Sequence, residues 1–147
     1  MKKNIPFTKT LDVFTDDRGI FVPILQKDIL EDNLEIKRIY SVYNYGKGII
    51  RGFHFHEKEW KYFSIVNGAA KFIAINPDEP EKIFSFVSSS HKQNLIVIPP
   101  GFANGWISLE DNTILVCGST AILEKSIEDD KRFDPYKWGD VWSVKPR

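Results

Sequence analysis

Between residues 51 and 61 the chain brings together an arginine, two histidines and a lysine, in Arg51-Gly52-Phe53-His54-Phe55-His56 and Trp60-Lys61. An imidazole titrates near neutral pH, so His54 is a candidate general base. A ketone that loses a neighbouring proton gathers negative charge on its oxygen, and a preorganised ammonium in a dry pocket stabilises that enolate. Lys61 suits the task if it faces inward. Strand alternation puts Phe63 and Ile65 on its side and Tyr62 and Ser64 on the other, which predicts an inward Lys61. Taken alone, the histidines could be ordinary core or surface residues and Lys61 a solvated strand residue; the combination with Arg51 favours a site.

Such side chains need walls to hold them. Helical periodicity is nearly absent, and β-branched and aromatic runs recur between turn residues. Strands are predicted over residues 34–44, 49–56, 60–66, 69–76, 82–87, 94–98, 102–108 and 113–119. Asn67-Gly68 between two alternating runs predicts a hairpin with a type I′ turn. Lys27 to Asp32 is read as one helical turn. Glu124 to Arg132 is a charged segment, followed by an aromatic tail whose Trp138 and Trp142 must pack on something. Many short strands in 147 residues argue for an all-β sandwich or closed barrel of jelly-roll type, residues 1–147 forming one domain.

Composition narrows the function. Lys and Arg number 20 and Asp and Glu number 20, so no global positive field exists for a nucleic-acid backbone or an anionic membrane. The start, Met1-Lys2-Lys3-Asn4, runs into Pro6 without an apolar stretch, and no later run nears the ~18 apolar residues of a membrane span. The expectation is a cytoplasmic protein. Cys117, the single cysteine, lies in an apolar run and reads first as a buried inert thiol.

The stretch from Gly48 to Gly68 resembles the first motif of the cupin barrels, and Pro99-Pro100-Gly101-Phe102-Ala103-Asn104 resembles the second. Two of the metal-ligand positions hold Lys61 and Asn104 instead of a carboxylate and an imidazole. An ammonium there would repel a divalent cation, so neither metal nor cofactor is expected.

Five segments in order resemble the dTDP-4-dehydrorhamnose 3,5-epimerase family: Asp16-Asp17-Arg18-Gly19-Ile20-Phe21, Arg51-Gly52-Phe53-His54, Lys61 to Gly68, Pro99 to Trp106, and Asp134-Pro135 with Trp138. The resemblance implies a nucleotide-linked 4-keto-6-deoxy sugar, epimerised at C3 or C5 during deoxysugar synthesis for cell-surface polysaccharides such as lipopolysaccharide. It implies His54 as base, Asp134 as the carboxylate that orients it and Lys61 as enolate stabiliser. Arg51 and Arg18 would contact the pyrophosphate, with Phe21, His56 and Asn104 as further substrate contacts. The N-terminal strands, within residues 1–33, would reach across a homodimer, and residues 120–147 would form a tail. Turn roles compete at two positions: Arg18 after Asp17, and Asp134 before Pro135.

The departures concern the proton donor. Cys117 stands where the family keeps a tyrosine acid, and Phe72 where it keeps an aspartate. Cys117, Tyr43 and water remain alternatives for reprotonation. His54-Phe55-His56 before Gly68, with Lys37-Arg38-Ile39-Tyr40, also resembles the dTDP-sugar 3,4-ketoisomerases. A nucleotide-sugar-binding cupin without catalysis is the non-enzyme alternative.

Overall fold

The computed structural model describes residues 4–147; the basic start Met1-Lys2-Lys3 lies outside the described residues. In chain order the strands are β1 (Phe7–Thr10), β2 (Phe14–Asp16), β3 (Gly19–Phe21), β4 (Arg38–Asn44), β5 (Ile50–Phe55), β6 (Lys61–Asn67), β7 (Ala69–Ile75), β8 (Ile83–Ser89), β9 (Asn94–Ile98), β10 (Ala103–Ser108), β11 (Thr113–Ser119) and β12 (Lys131–Arg132). They form two five-stranded antiparallel sheets, ordered β1-β9-β6-β11-β4 and β12-β5-β10-β7-β8, with β2 and β3 as a separate hairpin. This is the expected all-β jelly roll. The helical turn appears as a 3-10 turn over Lys27–Ile29, and the charged segment carries a helix, α1 (Leu123–Glu128), that apolar periodicity did not announce.

Asn67-Gly68 does not close a hairpin. β6 pairs with β9 and β11, while β7 pairs with β8 and β10, so the chain crosses from one sheet to the other at this dipeptide. Gly68 has φ 81°, and a Cβ there would lie 3.0 Å from Thr113 Cα, whereas Asn67 keeps a negative φ and donates from Nδ2 to Asn112 O at 2.7 Å. The signal for a sharp reversal is sound; what it reverses is the layer.

Three apolar layers explain why many strands read as continuous hydrophobic runs. Phe63, Ile65, Phe72, Ile96, Trp106 and Leu115 fill the space between the sheets. Leu11 and Leu30 cover Tyr62, Leu95 and Val97 on the outer face of the first sheet. Trp142, with the tail, covers Phe53, Ile73 and Ala103 on the outer face of the second. The tail packs as expected, its Trp142 1% exposed and donating from Nε1 to Pro135 O at 2.8 Å. β1 pairs with β9 of its own chain, so the apolar surface that residues 4–33 leave projecting is mainly the β2–β3 hairpin. Phe14, Ile20 and Phe21 are exposed there at 58%, 57% and 67%.

One irregularity positions the site. Asn104 pairs with His54 and Trp106 with Arg51, so three steps along β5 match two along β10. This bulge lets Arg51 and His54 reach one cavity, which strict alternation over three residues would forbid. It needs glycine at 52, where φ is 152° and a Cβ would lie 2.8 Å from Gly105 Cα. Gly52→Ala is expected to cost about 1–3 kcal/mol, read as a fall in Tm of roughly 2–4 °C per kcal/mol. A wild-type Tm would show that the two backbones can part without loss.

Candidate active site

The two sheets part at one end around a cavity of about 250 Å³. β4 contributes Tyr40 and Val42, β5 Arg51 and His54, β6 Lys61, and β10 Asn104, while Ser126 and Asp130 close it from the segment around α1. His56 follows β5 directly and also lines it.

His54 is oriented by a carboxylate, but not by Asp134. Its Nδ1 lies 3.2 Å from Asp130 Oδ1, and Arg132 Nε donates to Asp130 Oδ2 at 2.9 Å. Asp134 instead accepts from the Tyr136 N–H at 2.8 Å, the turn role that competed with catalysis. The register explains the exchange: β12 pairs Arg132 with His54 and Lys131 with Phe55, which sets Asp130 beside the imidazole. Burial works to raise the Asp130 carboxyl, but hydrogen bonds from Arg132 and His54 hold it below its ordinary value. Burial lowers His54, opposed by the hydrogen bond to Asp130 and assisted by the charge of Lys61.

Lys61 faces inward as alternation predicts and is 7% exposed. It stands on β6 and His54 on β5, in facing sheets, yet both line the same cavity. No described residue gives its Nζ a hydrogen bond or a direct ion pair. Desolvation therefore dominates and lowers its pKa, with Glu59 and Asp130 pulling the other way from a distance.

Behind the imidazoles runs a buried polar network that sequence reading missed. His56 Nε2 lies 3.2 Å from Glu59 Oε2 and 3.6 Å from Asp130 Oδ1. Glu59, 3% exposed, also accepts from Ser126 Oγ at 2.7 Å, Ser119 Oγ at 2.5 Å and Arg38 Nη2 at 3.2 Å. A carboxylate so deeply placed is tolerated because each oxygen has donors. Glu59 is the last of three consecutive charged residues, Glu57-Lys58-Glu59, where composition alone suggests a solvated turn. Among the described residues no group of three or more His, Cys, Asp and Glu could hold a metal ion.

Arg51 stands at the mouth, its Nε donating to Asn44 Oδ1 at 2.6 Å and Nη2 to Tyr43 O at 3.4 Å. Asn104 lines the cavity while its Nδ2 donates to the carbonyls of His54 and Phe102 at 3.2 and 3.3 Å. Arg18 and Phe21 are not brought to this cavity in the single chain. Both lie on the exposed β2–β3 hairpin, where Arg18 Nε donates to Asp16 Oδ2 at 3.2 Å.

Neither proton-donor residue faces the cavity. Tyr43 points outward from β4, 43% exposed, and its hydroxyl donates to Asn112 Oδ1 at 2.6 Å. Cys117 is 0% exposed in the core behind the cavity, and burial pushes its thiol up to about 11. Phe72 packs between Phe63 and Trp106, ring centroids 5.4 and 6.1 Å away. Tyr40 is the phenol that does line the site, on the face of β4 that it shares with Arg38, Val42 and Asn44.

The family model described as dTDP-4-dehydrorhamnose 3,5-epimerase matches residues 6–142. A dTDP-4-dehydrorhamnose 3,5-epimerase of Methanothermobacter thermautotrophicus is 24% identical over 141 residues, covering 90% of this chain and 76% of that protein. Among solved structures, the 3'-monoepimerase ChmJ from Streptomyces bikiniensis, in complex with dTDP-quinovose, superposes with a TM-score of 0.83 at 15% identity, covering 97% of this chain and 78% of that one. A 3,4-ketoisomerase from Helicobacter canadensis gives 0.73 at 16% identity, covering 87% and 90%. At these identities the structural likeness establishes the fold.

Proposed function

The chain belongs to the dTDP-4-dehydrorhamnose 3,5-epimerase family, isomerases of deoxysugar biosynthesis, and on that footing we propose that its cavity epimerises a dTDP-linked 4-keto-6-deoxy sugar at C3, C5 or both. One observation carries the reading: a buried ammonium with no direct ion pair among the described residues shares a cavity with an imidazole backed by a carboxylate. His54 takes the proton from the carbon beside the C4 ketone, Nε2 acting as base while Nδ1–H is held by Asp130. Lys61 Nζ meets the charge that moves to O4, and no direct ion pair with another described residue competes with the substrate for it. A proton returned to the other face of the enolate inverts the carbon. No step requires a metal.

Arg51, at the cavity mouth, is placed to receive the diphosphate, while His56 and Asn104 bound the sugar. The exposed Phe14, Ile20 and Phe21 on a projecting hairpin support a homodimer in which Arg18 and Phe21 enter the neighbour's cavity. The balanced charge and the absence, among the described residues, of a helix able to cross a membrane are consistent with work in the cytoplasm, where nucleotide sugars for surface polysaccharides are made.

The test is proton NMR of the protein with dTDP-4-keto-6-deoxyglucose in D2O. Deuterium entering C3 or C5 with inversion is the expected result. Binding without exchange across a panel of 4-keto sugars would reduce the chain to a nucleotide-sugar-binding cupin. His56, paired with Glu59 on the same cavity, favours a second reading in which the proton returns to C4; a 3-keto product would identify a ketoisomerase.

A further inference from the structure

Inversion requires a donor on the face of the enolate turned away from His54, and Cys117 does not provide one. It is fully buried and does not line the cavity. The ladder between β11 and β4 pairs Cys117 with Tyr40, and Tyr40 does line the cavity. That register sets the two residues side by side, so Tyr40 stands one strand along from the position that the family gives to tyrosine. β4 lies in the first sheet and β5 in the second, which sets Tyr40 and His54 on facing walls with the substrate space between them.

Resting on the epimerase reading, we propose that Tyr40 is the acid that reprotonates the enolate, supplying from β4 the phenol that β11 lacks. The step balances simply. The Tyr40 O–H bond breaks as a C–H bond forms at the enolate carbon, the electron pair of the C=C bond makes that new bond, and O4 returns to a carbonyl as its charge leaves Lys61. Water at the cavity mouth then reprotonates the phenolate, and His54 gives its proton to solvent.

The surroundings fit that cycle. Burial raises the Tyr40 pKa, which keeps the phenol protonated until the step. The Arg38 guanidinium lies 4.9 Å from the Tyr40 ring centroid and opposes the raised pKa, a positive charge ready for the transient phenolate.

Tyr40→Phe separates the two halves of the reaction. In D2O the variant is expected to keep His54-dependent exchange at the substrate carbon while formation of the inverted product falls about a hundredfold or more. Cys117→Ser is expected to stay within about threefold of wild type in both measurements. Thermal unfolding and dTDP binding check that Tyr40→Phe is folded. Site-specific 3-fluorotyrosine at position 40 provides the independent readout, since its more acidic phenol should change the rate of inversion while His54-dependent exchange stays in place. Inversion by Tyr40→Phe at wild-type rates, an inversion rate unchanged by 3-fluorotyrosine, or loss of inversion in Cys117→Ser instead would overturn the assignment alone. Absence of exchange in the wild type would overturn the epimerase reading, and this assignment with it.

Discussion

Lys61→Met lowers kcat/KM by about three orders of magnitude, the scale expected when a preorganised group that holds developing charge is removed. Methionine keeps the stem volume and loses the ammonium, so dTDP binding should change little while turnover collapses. The same substitution should stabilise the fold. A buried ammonium with no direct ion pair among the described residues has forfeited its hydration, and replacing it with an apolar side chain should return about 1–3 kcal/mol. The pH dependence fixes the sign. Because the folded-state pKa is lowered, the native protein binds fewer protons than the unfolded chain between that pKa and 10.5, and stability rises with pH across the window. The Tm advantage of Lys61→Met should therefore be full below the lowered pKa and shrink as pH approaches 10.5. An equal Tm for both proteins at neutral pH would mean that the ammonium reaches water.

The second large effect belongs to the imidazole and its carboxylate. His54→Asn should abolish exchange altogether, and Asp130→Asn should cost about two to four orders of magnitude in kcat. The amide can donate to Nδ1, which drives the ring proton to Nε2 and blocks the atom that must act as base. The wild-type acid limb of kcat/KM should fall below the ordinary histidine value of 6.5, because burial lowers the free enzyme's His54 and neutral imidazole is the active form. Activity then rises as pH passes upward through that lowered value. In Asp130→Asn the limb should move further toward acid, since the carboxylate that favours the imidazolium has gone. Asp134→Asn should leave both rate and limb in place, its carboxylate serving a turn at Tyr136.

These assignments mark where sequence reading succeeds. Lys61 was legible because period-two alternation assigns a face, and Phe63 and Ile65 identify that face as the interior. The jelly roll was legible because its strands are short and well punctuated. Asp130 was not, since its place beside His54 comes from β12, a two-residue strand too short to leave a pattern. Tyr40 lost out to Tyr43 because both sit in one run, and only the sheet partners tell which parity faces inward. Arg51 and His54 on one cavity contradict alternation, and a bulge at a glycine can be guessed but not counted from one sequence. Asn67-Gly68 misled for a related reason: a dipeptide specifies local backbone shape, and which strands it joins depends on partners far along the chain.

The layer that Trp142 forms over Phe53 has a consequence for biosynthesis. The ring centroids are 5.0 Å apart, and Trp142 also touches the outer side of Gly105, directly behind the strand that carries Arg51 and His54. Trp138 packs on Phe53 and Phe133 on Phe55 as well, so that strand's outer face is fully covered only once residues 133–142 have left the ribosome, after the reactive groups themselves have been made. A fixed site thus waits on residues 133–142, and a polypeptide interrupted before them offers chaperones an aromatic surface before it offers a sugar a working cavity.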